Sequence, residues 1–104
     1  MNNSDLLQNI LREIQSTRQQ LMTTNSQIRE FEVTLEALKE QDKDKKVYRQ
    51  IGALLFEVDD MESMSQQLST SIITLKEHLQ LLEKQDVELK SKYDDVVLKI
   101  ENSD

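Results

Sequence analysis

Two long segments of this chain repeat apolar residues at spacings that alternate between three and four, and a short stretch between them does not. In the first segment one column reads Leu7, Ile14, Leu21, Ile28, Leu35. A second column, three residues on, reads Ile10, Thr17, Thr24, Phe31, Leu38. The positions between are mostly Gln, Glu, Arg, Ser and Thr. This is an a/d seam, the pattern of a helix that pairs along one narrow stripe. It predicts a helix over about residues 4–43, with Ser4 as N-cap, Asp5 in the first turn and the preceding residues fraying. The second segment keeps the same rhythm through Met61, Ser65, Leu68, Ile72, Leu75, Leu79, Leu82, Asp86, Leu89, Tyr93, Val96 and Ile100. It predicts a helix over about residues 60–102, capped by Asp59 with Glu62 as its capping-box partner.

The two seams match when the chain folds back on itself. Leu38 then faces Ser65, Leu35 faces Leu68, Phe31 faces Ile72 and Ile28 faces Leu75. Further on, Thr24 faces Leu79, Leu21 faces Leu82, Ile14 faces Leu89, Ile10 faces Tyr93 and Leu7 faces Val96. Each pair joins an a to a d position, as an antiparallel coiled coil requires. A slide by one heptad is nearly as good for most pairs. The polar intrusions Thr17 and Asp86 meet in this alignment, and the short connection also favours it.

The connecting stretch, about residues 46–58, contains the sole glycine, Gly52. Val47, Tyr48 and Ile51 precede it; Leu54, Leu55, Phe56 and Val58 follow. Short β-prone runs around a glycine predict a β-hairpin, with the glycine supplying the positive φ of a tight turn. Leu54, Phe56 and Val58 share one face, while Leu55 joins Tyr48 on the other. A two-stranded hairpin with apolar groups on both faces does not satisfy itself in water. The chain offers no further strand, so the pattern implies an oligomer. An apolar loop or a buried helical turn is the alternative reading of the same residues. The fold class is mainly α: one domain over residues 1–104, a long antiparallel two-helix coiled coil with a central β-hairpin.

Composition narrows the function. Hydrophobic residues are 37% and aromatics 4%, too few for a thick core but suited to a narrow seam. The formal net charge of −7 argues against direct nucleic-acid binding, which needs a basic footprint. Lys43, Lys45 and Lys46 cluster, but Asp42 and Asp44 dilute them; they read as a solvated turn at a helix end. No cysteine is present, hence no disulfide and no thiolate metal site. No signal peptide and no membrane-spanning run is apparent, and the expectation is a cytosolic protein.

No catalytic constellation emerges. His78 sits at a flanking position without a fixed partner. The adjacent pairs Asp59–Asp60 and Asp94–Asp95 point in different directions on a helix. One glycine makes no phosphate-cradling loop. The expectation is no enzyme, no cofactor and no metal. The chain termini carry a further signal. Leu6 and Leu11 flank the seam residues Leu7 and Ile10, and Val97 and Leu98 lie beside Val96 and Ile100. A two-stranded seam does not cover so wide a stripe, and exposed apolar patches mark interaction sites. Tightening of a fraying end, or contacts in a dimer, would explain the same residues.

A helix, a central YxxxG hairpin and a second helix, in about 100 residues without Cys or Pro, resemble a β-class prefoldin subunit. The resemblance is sharpest over Val47-Tyr48-Arg49-Gln50-Ile51-Gly52-Ala53-Leu54-Leu55-Phe56, similar to the family's VY-x-x-(I/V)-G-x-(V/L)-L segment. Phe56 departs from it, standing where a branched aliphatic residue is commoner. Alpha-class subunits carry two hairpins, and here there is room for one. The hairpin is similar to the eukaryotic subunit 2 and subunit 6 types and to archaeal β. The resemblance implies a subunit of an ATP-independent co-chaperone, a hexamer of two α-class and four β-class subunits whose hairpins join into a β-barrel platform. Its coiled-coil tips would hold unfolded clients, of actin and tubulin type in eukaryotes, and pass them to the group II chaperonin. By this mapping Val47, Tyr48, Ile51, Gly52, Leu54, Leu55 and Phe56 serve assembly. Leu6, Leu7, Ile10, Leu11, Val96, Val97 and Ile100 would contact clients weakly and multivalently. A structural coiled-coil adaptor or tether, oligomerising through the same hairpin, is the alternative.

Overall fold

The computed structural model describes residues 2–102. Their order is helix α1 (Asn3–Glu40), strand β1 (Tyr48–Ile51), strand β2 (Leu54–Glu57) and helix α2 (Met61–Asn102). They fall into two compact units. In the terminal unit, residues up to Ser26 pack with those from Glu77 onward; Gln27–Lys76 make the hairpin unit. Among the described residues no helix is long and apolar enough to cross a membrane.

Both helices start at caps that differ from the expected ones by a residue or two. Asn2, not Ser4, caps α1: its Oδ1 accepts the backbone N–H of Asp5 at 2.8 Å. Asn caps as well as Ser does, and capping from residue 2 brings Asn3 and Ser4 into the helix. Asp60, not Asp59, caps α2, its Oδ1 accepting the N–H of Ser63 at 3.0 Å. The sheet explains this choice. Val58 still donates its N–H to the Val47 carbonyl at 2.8 Å, so Asp59 is used to leave the strand and Asp60 is the first residue free to cap. Lys39 and Lys99 in the last turns, and Asp5 and Glu62 in the first, complement the helix dipoles. Helix α1 ends at Glu40, short of residue 43. The next two seam positions are Asp42 and Lys45, which give a seam nothing to bury, and Lys45 N–H instead closes a turn on the Asp42 carbonyl at 3.1 Å.

In the terminal unit, Ile10, Ile14, Leu89 and Val96 form a buried cluster, with Leu7, Tyr93 and Ile100 packed against it. Thr17, Thr24 and Leu82 are buried beyond it. In the hairpin unit Ile28 and Ile72 are buried, with Phe31 beside Leu75 and Leu35 beside Ile72 along the grooves. In the terminal unit the cluster, with the ion pair of Arg18 and Asp86, fits helices that run antiparallel in the alignment read from the seams. Every seam position of both helices is buried or half-buried. The seam is nevertheless thin, for no described side chain is completely enclosed.

Candidate functional site

The hairpin is built from register outward. Tyr48 pairs with Glu57, Arg49 with Phe56, Gln50 with Leu55 and Ile51 with Leu54. That leaves a two-residue turn, Gly52–Ala53. Gly52 has φ of +60°, and no other described residue has positive φ. Glycine at the first central position followed by a residue of ordinary φ is the type II′ requirement, whose twist suits flanking strands. The Gln50 side-chain amide donates to the Gly52 carbonyl at 3.2 Å and tightens the turn.

Directly paired residues share a face. One face therefore carries Ile51 with Leu54 and Phe56 with Arg49, continued by half-buried Val47 and Val58. The other carries Tyr48 with Glu57 and Leu55 with Gln50. All eight strand residues are exposed, the large apolar ones from 48% at Phe56 to 67% at Leu55. Among the described residues the sheet has two strands, so β1 and β2 each present an edge. Arg49 also lines a shallow groove with Glu30, Phe31 and Thr34 of α1 and Met64 of α2. The seven residues expected to serve assembly thus lie together, on and around one β-hairpin.

The second candidate surface is in the terminal unit, and here the structure redistributes the residues. Ile10 and Val96, expected to touch clients, are 6% and 5% exposed. They occupy seam positions and form the cluster that holds the two helices together, so the closed unit does not present them. Leu7 and Ile100 are half-buried against that cluster, and Val97 is half-buried. The exposed apolar groups are Leu6, Leu11 and Leu98, the last at 58%. Leu98 belongs to the widened apolar stripe near the termini but not to the residues expected to contact clients, and it is the most exposed of the three. Further apolar residues, among them Met22, Leu81 and Val87, are exposed singly along the helices.

Polar chemistry is sparse. Asp86 accepts the Nε–H of Arg18 at 3.1 Å, an ion pair between the two helices of the terminal unit. His78 is exposed. Among the described residues no group of His, Cys, Asp or Glu is arranged to hold a metal ion.

Comparisons with known proteins agree with this architecture. The family model described as "Prefoldin subunit" matches residues 2–102. The prefoldin subunit beta of Thermoplasma volcanium is 31% identical over 99 residues, covering 88% of this chain and 80% of that protein. The prefoldin subunit beta of Thermoplasma acidophilum matches with the same identity and coverage. Among solved structures, the crystal structure of the prefoldin beta subunit from Thermococcus strain KS-1 superposes with a TM-score of 0.82. It covers 97% of this chain and 88% of that one at 22% identity, a likeness of fold. A family match from end to end of the described chain, with curated β-subunit relatives above 30% identity, places the protein: it belongs to the prefoldin subunit family, in the β class.

Proposed function

We propose that this chain is one of the β-class subunits of a hexameric, ATP-independent co-chaperone of the cytoplasm, which captures unfolded proteins and delivers them to a group II chaperonin. The observation that carries the reading is the hairpin, apolar on both faces, exposed, and open at both edges. Such an element is marginal alone and is completed by strands from other chains. Val47, Tyr48, Ile51, Gly52, Leu54, Leu55 and Phe56 would join hairpins of α- and β-class partners in a barrel. Clients of actin or tubulin type would meet the terminal unit through Leu6, Leu11, Val97 and Leu98, with Leu7 and Ile100 at the margin. Ile10 and Val96 would act by keeping that unit closed. Contacts this small bind weakly one by one, and several subunits together supply the affinity.

The test is the native mass and composition of the complex that co-purifies with this chain from its own cells. A hexamer containing two longer, two-hairpin partners supports the proposal. A homodimer, or a complex with membrane or cytoskeletal proteins and no such partners, would make the hairpin a dimerisation device and the chain a tether.

A further inference from the structure

We propose that Arg18 and Asp86 are a register pin, positioning residues that fix which apolar side chains stand together at the end of the terminal unit. Asp86 takes a seam position of α2 between Leu82 and Leu89, where a leucine would extend the core. Its carboxylate instead turns to the edge of the seam and accepts the Arg18 Nε–H at 3.1 Å. Buried Thr17 fills the facing position.

The rest of this seam tolerates sliding. Moved by one heptad towards the C-terminus of α2, Ile14 meets Val96 and Leu21 meets Leu89, both apolar. Asp86 does not tolerate it. Slid one way, it faces Ile10 and has Leu11 where Arg18 stood; slid the other way, it faces Thr24 and has Asn25 there. Either slide leaves the carboxylate in the seam with no cation on the facing helix beside it, a costly arrangement; Lys90, one turn along α2 itself, is as near in every alignment and does not choose between them. The observed alignment alone supplies a facing cation. An exposed ion pair contributes little in absolute terms. This one acts through the difference between alignments, as single polar seam residues do in other coiled coils.

The alignment has a functional consequence. It brings Leu7 level with Val96, and so sets how far along the unit Leu6 and Leu11 of α1 stand from Val97 and Leu98 of α2. A slide of one heptad displaces one set from the other by about 10 Å. This half of the inference rests on client capture by the terminal unit; the register half does not.

The chain lacks cysteine, so engineered pairs report the alignment. In the full-length protein under thiol–disulfide exchange, Leu21→Cys with Leu82→Cys reads the observed alignment. Leu21→Cys with Leu89→Cys reads the slid one. With Arg18 and Asp86 intact, the first pair closes and the second stays reduced. With Asp86→Leu added, both pairs close in comparable yield, and the selectivity of the native chain is lost. Exchanging the charges, Arg18→Asp with Asp86→Arg, restores it, which distinguishes the pin from a general loss of folding. Closure of the first pair alone in the Asp86→Leu background would overturn the pin. Lost selectivity with undiminished suppression of client aggregation would leave the pin standing and overturn its link to the client surface.

Discussion

Ile51 and Leu54 are direct cross-strand partners at the mouth of the Gly52–Ala53 turn, on the same face as Phe56, and both are exposed. Two apolar side chains held edge to edge on a marginal hairpin are stabilised when another chain covers them. Ile51→Asp combined with Leu54→Asp should abolish incorporation into the proposed hexamer while the helical content of the isolated chain is retained. Size-exclusion chromatography with light scattering, beside far-UV circular dichroism, reads both. Intact hexamer from the double variant would remove the hairpin from the assembly interface.

Gly52→Ala isolates the backbone contribution of the same turn. A Cβ at this position meets nothing within 4 Å, so no clash is created. The cost is conformational, since φ of +60° disfavours any L side chain by about 1–2 kcal/mol. The concentration needed for half-assembly should rise by a factor of about 5–30, with helix stability unchanged. A variant that assembles as the native chain does would show that the turn rearranges on assembly.

Tandem Asp59 and Asp60 give a clean capping contrast. Asp60→Ala removes the acceptor for Ser63 N–H and should cost about 1 kcal/mol in chemical denaturation. Asp59→Ala should stay within about 0.5 kcal/mol. Equal losses would mean that the two carboxylates share the cap.

The terminal unit separates stability from client contact. Ile10→Ala should cost about 2–5 kcal/mol, because Ile10 is in the buried cluster. Leu6→Ser, Leu11→Ser and Leu98→Ser together should leave the melting temperature nearly unchanged and weaken suppression of client aggregation by the reassembled complex. Full suppression by that triple variant would move client contact to other subunits.

The seam was legible residue by residue because burial in a two-helix coil follows one repeating rule. From Leu7 to Leu38 and from Met61 to Ile100, the seam positions are buried or half-buried where the heptad places them. The hairpin was legible because a single glycine sits between β-prone runs. Three features were not. Asn2 and Ser4, and likewise Asp59 and Asp60, are interchangeable as caps by residue type; the choice is made by where the preceding segment ends. Thr17 and Asp86 were read as facing each other, but the carboxylate reaches past Thr17 to Arg18, a difference of side-chain direction that spacing does not encode. The apolar stripe near the termini was visible, yet its division into enclosed Ile10 and Val96 and exposed Leu98 depends on how far two helices can cover each other.

The thin seam has a thermodynamic consequence. With no described side chain fully enclosed, each layer of the terminal unit is stabilised by its immediate neighbours, much as in a stacked repeat array. Opening is then a matter of fraying from an end, layer by layer, with no all-or-none step. Amide hydrogen exchange should slow steadily from Leu6 towards Leu21 on one helix and from Ile100 back towards Leu82, the most enclosed residue, on the other. The residues that exchange fastest will be those beside Leu6 and Leu98, so the surface proposed to hold unfolded chains is also the part of the molecule closest to being unfolded itself.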